Sequence, residues 1–186
     1  MKSIIPITVC ALVAAAVSLA PGCAKNNPSS PAGPTATPVP TVCGILAGDS
    51  LNNDNDNISN GMVAAVSFTA SNNATLTSLT SKLNGSTGFI AMGVYADNAG
   101  SPGMLLVETL KQTPVSGWNS VTVTPLSITS GGNYWMALYS AGVGLSAVDG
   151  PYSKVLSFSY TSGLPSNATG WSGTGAGLKM YASGCY

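Results

Sequence analysis

From residue 62 onward, short runs of alternating apolar and polar residues follow one another, and clusters of Gly, Asn, Ser or Pro separate them. Alternation with a period of two is typical of strands that bury one face. No window keeps the 3.6-residue apolar spacing of a long helix. The runs predict strands at 63–69, 75–83, 88–95, 104–109, 118–123, 134–139, 155–160 and 178–182. We therefore expect an all-β fold, a single jelly-roll-like antiparallel β-sandwich of about eight strands.

The run 134–139 is apolar on both of its faces, which predicts a central strand buried on two sides. Trp135 is therefore expected to be a core residue rather than a ligand platform. In the run 118–123, the inward positions are predicted to be Asn119, Val121 and Val123. Trp118, which begins that run, is expected either to cap one end of the sandwich or to be exposed.

The N-terminal segment is predicted to be an export signal. Lys2 precedes an uncharged, mostly apolar run that reaches Ala20, which is typical of a signal peptide. The following residues, up to Cys23, resemble a bacterial lipobox, so residues 1–22 are interpreted as the signal peptide and Cys23 as the lipid anchor. Cleavage after Ala24 would instead release a secreted form. Residues 23–42 are rich in Pro, Ser and Thr, which predicts an extended tether.

The cysteines support this division of the chain. Cys10 leaves with the signal and acylation uses Cys23, so Cys43 and Cys185 remain as a pair. The first and last strands of a sandwich are often neighbours, and exported proteins meet an oxidising compartment. We therefore expect a disulfide that staples the ends of a domain at 43–186, two free thiols being the alternative.

Composition excludes several classes of function. Charged residues make up 6% of the chain, its formal net charge is zero, and it contains no His and no Arg. A nucleic-acid partner would need a basic stripe, and none exists. Without His, catalysis by an imidazole base and by a His-ligated zinc is excluded.

Three segments carry a resemblance to a known family. They are GVYADNAGSPGMLLVETL at 93–110, GWNSVTV at 117–123 and GGNYWMALYS at 131–140. In this order they resemble a bacterial exported domain often named choice-of-anchor, over about residues 60–182. The resemblance implies a jelly-roll-like fold and a role at the cell surface, and it provides no activity that can be carried over to this chain. Independently of the family, Ser101-Pro102-Gly103 predicts a turn, because Pro suits its first central position.

Two binding hypotheses follow from the loops. Trp171 lies among small polar residues, where an exposed ring with Tyr152 beside it could stack on a sugar; the alternative is that Trp171 covers the core. Asp49, Asp54 and Asp56 are hard oxygen ligands that could hold a structural calcium ion, although the spacing is not that of an EF-hand. The alternative is a solvated polar loop.

Catalysis is not expected. A glycosidase needs two carboxylates on either side of the scissile bond, and this chain has six acids, among which Asp97 and Glu108 have ordinary turn and strand positions. The sequence therefore predicts a non-catalytic cell-surface or secreted binding module for adhesion or carbohydrate, without a required cofactor. Its membrane contact is expected through the lipid anchor only, at the outer membrane or cell surface. The alternative is a structural envelope protein that binds a surface protein or its own copies.

Overall fold

The computed structural model describes residues 41–50, 56–58, 61–143 and 145–186, and it describes the backbone alone at 56–58, 145–152 and 174–176. These residues form strands and turns without a helix. The strands are β1 (Cys43–Gly48), β2 (Asp56–Ile58), β3 (Met62–Thr69), β4 (Ala74–Leu83), β5 (Phe89–Asp97), β6 (Pro102–Glu108), β7 (Gly117–Ile128), β8 (Asn133–Ala141), β9 (Leu145–Ser157), β10 (Ser172–Leu178) and β11 (Met180–Cys185). No helix in this part of the chain could cross a membrane.

The strands form two antiparallel sheets packed as a β-sandwich. Sheet I has the order β1-β11-β4-β7, and sheet II has the order β6-β5-β8-β3-β9, with β2 and β10 also paired to β9. A single bridge, Leu83 to Leu145, joins the two sheets. Eight strands (β1, β3–β8 and β11) form the orders β1-β11-β4-β7 and β3-β8-β5-β6, which are those of a jelly roll. The predicted fold class is confirmed.

The structure adds strands to the eight that the sequence predicts. Strands β1 and β2 were not predicted, β9 begins ten residues earlier than expected, and the predicted run 178–182 spans the junction of β10 and β11. At that junction, Lys179 is where the chain leaves sheet II and enters sheet I. The eleven described strands are therefore one jelly roll with a small extension of sheet II.

Two apolar clusters fill the molecule. The first lies between the sheets and contains Leu76, Leu79, Met92, Met136 and Leu138, all fully buried. The second lies on the outer face of sheet II, under the strand-free segment that follows β9, and contains Val63, Tyr95, Trp135, Tyr139 and Leu164. Strand β8 contributes to both clusters, which confirms that it is central and buried on both faces. Trp135 is 4% exposed and is a core residue.

The two ends of the domain meet in sheet I. Cys43 pairs with Cys185 across β1 and β11, and the two residues form a disulfide, as predicted. Backbone hydrogen bonds in both directions between Val42 and Tyr186 extend the ladder past this bond. The N-terminal entry to the domain is therefore fastened to its C-terminal strand.

The turn after β5 differs from the predicted one. Asn98 and Ser101 exchange backbone hydrogen bonds, and Ala99 and Gly100 between them have φ values of 51° and 80°. Positive φ at both central positions is the mark of a type I′ hairpin turn. The prediction of a turn at 101–103 was wrong, because Pro102 instead begins β6, where its missing N–H costs no hydrogen bond.

Candidate functional site

Five polar or aromatic side chains converge where β3 and β5 end and β8 begins. Thr69 pairs with Asn133, and Ser67 pairs with Trp135, across β3 and β8. Strand β5 lies on the other side of β8, where its register ends with Ala96 opposite Tyr134, so Asp97, the next residue, lies level with Asn133. Because side chains two residues apart share a face, all five belong to the outer face of sheet II. At this end of sheet II, the apolar cluster on the outer face is therefore bordered by a patch of polar side chains.

The Asp97 carboxylate is held by two donors. The buried indole Nε1 of Trp135 donates to Oδ1 at 2.7 Å, and the Gly100 amide donates to Oδ2 at 3.2 Å. Gly100 can present its amide because the hairpin turn gives it a positive φ, which glycine adopts without strain. A carboxylate has about four lone-pair positions, so these two bonds leave further acceptor capacity. Asp97 is therefore a preorganised acceptor at the protein surface.

Asn133 is oriented by its neighbour on β3. The Thr69 hydroxyl donates to Asn133 Oδ1 at 2.7 Å. This bond places the carbonyl end of the amide toward β3, so the NH₂ group, with two donor hydrogens, lies on the opposite side of the side chain. Strand β5 with Asp97 is on that side. The Asn133 NH₂ group, a donor, therefore lies beside the Asp97 carboxylate, an acceptor, and each is oriented by a hydrogen bond to a neighbour.

An open cleft of about 460 Å³ borders this pair. Its volume lies within the range of small-molecule sites. Among the described residues that line it, Asp97 is the one with a charged side chain. Phe68 also borders the cleft, but its ring lies on the inner face of sheet II, where it stacks on Tyr134 with ring centroids 5.5 Å apart. The remaining lining residues are Ser67, Thr69, Gly100, Asn133 and Trp135. Such a lining can bind a polyhydroxylated ligand, because it offers hydrogen-bond acceptors and donors.

The lining does not provide the pair of carboxylates that glycoside hydrolysis needs. The only other described acid on β5 or β6 is Glu108, which pairs with Gly93, whereas Asp97 pairs with Pro102. Four residues along β5 separate these positions, which is about 13 Å. Acid and nucleophile or base carboxylates lie about 5–9.5 Å apart in glycosidases. The side chains that line the cleft are therefore suited to binding a ligand.

Trp171 lies elsewhere on sheet II. It packs on the outer apolar cluster, its ring meets the Tyr95 ring edge-on at 6.1 Å, and its Nε1 donates to the Ala168 carbonyl at 3.2 Å. This is the position of a cover over the cluster, the second of the two roles considered for it. Tyr152 is in β9 and its side chain lies outside the described part of the chain. A Trp171–Tyr152 sugar site stays a prediction.

The predicted calcium ligands are only partly described. Asp49 Oδ2 is 2.6 Å from Nζ of Lys179, whose side chain is fully buried, while the Asp49 side chain is 33% exposed. Asp54 and the side chain of Asp56 lie outside the described residues, as does Cys23. Among the residues that are described, no three acids or cysteines form a group suited to a metal ion. Asp49 reaches Lys179 because Gly48, with φ of 103°, ends β1 and turns the chain inward.

Trp118 is on a third surface, the outer face of sheet I. Its ring lies 5.4 Å from the Tyr181 ring, centroid to centroid. Strand β4 runs between their two strands, so the rings lean together over β4 and cover Thr80, which is 2% exposed. Trp118 therefore neither caps an end of the sandwich nor extends freely into solvent. The inward direction of Asn119 and Val123 is confirmed, since both are buried.

Sequence reasoning missed the cleft because its residues are far apart along the chain. Asp97 was interpreted as an ordinary turn residue, and Thr69 and Asn133 were not singled out. One signal was available in the sequence. Asp97 is two residues after Tyr95, and Asn133 is two residues before Trp135. Residues two apart on a strand share a face, so each polar side chain lies next to a large aromatic one on the same face. The segments that carry the family resemblance at 93–110 and 131–140 supply four of the lining residues, Asp97, Gly100, Asn133 and Trp135.

Comparison with known proteins does not identify the chain. No family model matches it, and no curated protein matches it.

Proposed function

We propose that this protein is a non-catalytic β-sandwich module, displayed on the cell surface or secreted, that binds carbohydrate in the cleft beside Asp97. The observation that carries the proposal is the fixed acceptor–donor pair formed by Asp97 and Asn133. Binding sites combine a shaped surface with a few polar groups whose positions are set before the ligand arrives. Sugar hydroxyls both donate and accept hydrogen bonds, so they match this pair.

The sequence supports binding over catalysis. The chain contains no His and no Arg. The cleft has a single carboxylate among its described lining residues, and hydrolysis of a glycosidic bond uses two. A module of this kind would hold a polysaccharide and leave its covalent structure unchanged.

Display at the envelope follows from the N-terminal segment. In this proposal Cys23 carries the lipid and residues 24–42 are the tether, which joins the domain at the end where Cys43 is bonded to Cys185. Mass spectrometry of the N-terminal peptide tests the anchor. Acylated Cys23 is expected, and an N-terminus beyond Cys23 would show a secreted protein instead.

Glycan-array binding and retention on insoluble polysaccharides test the function of the full chain. We compare the unmodified protein with Asn133→Ala, which removes the cleft donor, and with Asn72→Ala, a matched control in the exposed loop after β3. The proposal predicts retention that falls at least tenfold in the first variant and stays unchanged in the second. A folded protein that no glycan retains, or equal binding by the two variants, would contradict it.

Assembly with a protein partner or with further copies is the second candidate function. Strand β1 is an edge of sheet I, its residues carry no charge, and Val42, Ile45 and Tyr186 near it are each 51% exposed. An uncharged edge strand with exposed apolar side chains is suited to strand pairing between molecules. Sedimentation velocity of the full chain and of Ile45→Lys tests it. Oligomers that the substitution dissociates would favour assembly, whereas monomers throughout would exclude self-assembly.

A further inference from the structure

We propose that the Asp97 cleft selects neutral glycans that present adjacent hydroxyl groups and rejects uronic and sulfated glycans. This inference rests on the proposed function and names the ligand class of the same site. It follows from the charge of the cleft and from the fixed direction of its hydrogen bonds.

The charge of the cleft is negative. Among the described residues that line it, Asp97 is the one charged residue, and the indole of Trp135 and the Gly100 amide prevent the carboxylate from turning away. Lys154, a described cation on the same sheet, is on β9, three strands from β5. Three strand spacings are about 14 Å, which exceeds the Debye length of about 8 Å at physiological ionic strength. Lys111, another described cation, lies over the Phe89 ring at the opposite end of β5 from Asp97. In the described part of the chain, an anionic sugar would therefore meet Asp97 without a compensating cation beside it.

The hydrogen-bond directions are also fixed. The Asp97 carboxylate accepts only, so a ligand group that lies against it must donate a hydrogen. The Asn133 NH₂ group donates toward the same cleft, because the hydrogen bond from the Thr69 hydroxyl turns the carbonyl oxygen toward β3. Side chains at neighbouring positions of adjacent strands lie about 5 Å apart, so both can reach adjacent hydroxyls of one ring. One hydroxyl donates to Asp97 while its neighbour accepts from Asn133.

An acidic substituent fails both requirements. A carboxylate or sulfate group cannot donate a hydrogen to Asp97, and it adds a repelling charge at contact distance. If it lies at Asn133 instead, the repulsion from Asp97 remains, because the two side chains are neighbours. The cleft therefore discriminates by charge and by donor direction together.

Paired polysaccharides that differ in charge test this inference with the full chain. Galactan is compared with polygalacturonate, and a neutral glucan with its sulfated form, for the unmodified protein and for Asp97→Asn. The unmodified protein is expected to bind each neutral polymer at least tenfold more tightly than its acidic partner. Asp97→Asn keeps an acceptor for the Trp135 indole, and it is expected to bind neutral glycans more weakly and to lower the discrimination below threefold.

Salt supplies a test that does not depend on the variant. Raising the salt concentration from 0.05 to 0.5 M should lower the discrimination by the unmodified protein, because screening weakens the repulsion from Asp97. Equal or tighter binding of the acidic polymers at low salt would overturn the inference while the carbohydrate function stands. If the protein bound none of the polymers, the selectivity and the carbohydrate-binding function would both be overturned, and the glycan array would be expected to show no binding either.

Discussion

The disulfide between Cys43 and Cys185 allows a prediction of stability from the structure alone. The double variant Cys43→Ser/Cys185→Ser removes the bond and leaves the strand pairing of β1 with β11 in place, including the hydrogen bonds between Val42 and Tyr186. Cys43 is exposed and Cys185 is half-buried, so the substitutions disturb little packing. The loss is therefore expected to arise mainly in the unfolded chain.

Its size follows from the loop that the bond closes. The two cysteines are 142 residues apart. In the chain-entropy description, a closed loop of this length restricts the unfolded chain by about 17 cal/mol/K, which is about 5 kcal/mol at 25 °C. For a domain of this size, 1 kcal/mol corresponds to about 2–4 °C, so the melting temperature should fall by about 10–20 °C.

Urea unfolding and stopped-flow kinetics of the full chain measure the effect. If the bond acts on the unfolded state, folding of the variant should be slower while its unfolding rate stays close to that of the unmodified protein. A loss of less than about 1 kcal/mol, or a loss that is found wholly in the unfolding rate, would refute the entropic reasoning. The second outcome would show that the bond stabilises native contacts of β1 instead.

Three further predictions concern buried side chains, and urea unfolding measures each. Asp49→Asn removes the carboxylate that lies 2.6 Å from the buried Lys179 ammonium and should cost about 2 kcal/mol, given the partial exposure of Asp49. Lys179→Met should cost less than about 1 kcal/mol, and equal losses would contradict the argument. The buried Tyr95 hydroxyl has no hydrogen-bond partner among the described residues, so Tyr95→Phe should stabilise the protein by about 1 kcal/mol at pH 7, and a loss would be contrary to this expectation. Burial, with a smaller contribution from Glu108, raises the pKa of Tyr95 above its ordinary value of 10.0. Above that pH the unfolded tyrosine releases its proton while the folded one keeps it, so stability should fall as pH rises, and less steeply in the Phe variant. Trp171→Ala uncovers the outer cluster and should cost about 2 kcal/mol; unchanged stability would argue against its role as a cover.

The fold could be predicted where the alternation of apolar and polar residues is regular. Strand β8 is the clearest case, because both of its faces are apolar and the structure buries both. Strand β10 was missed because SGTGAGL is built from small residues and has no apolar face to recognise. The first half of β9 was missed because Gly150-Pro151 suggests a turn, although the chain continues there as a strand.

The cleft could not be predicted, because it depends on the register between strands. Thr69, Asp97 and Asn133 belong to three different strands, and successive members of this set are 28 or more positions apart along the chain. Alternation assigns each residue to a face of its own strand, but it does not say which strands are neighbours. The hydrogen bond from the Trp135 indole to Asp97 shows how the fold makes this connection, since it joins β8 to the end of β5.

The position of the disulfide also determines how the domain would respond to mechanical tension. A pull on the chain before Cys43 passes through the sulfur atoms into β11, which is hydrogen-bonded to β1 on one side and to β4 on the other. Without that bond, β1 could peel from the sheet edge one hydrogen bond after another. With it, the load is shared at once among three strands of sheet I. The domain can therefore bear tension applied before Cys43 without unravelling from that end.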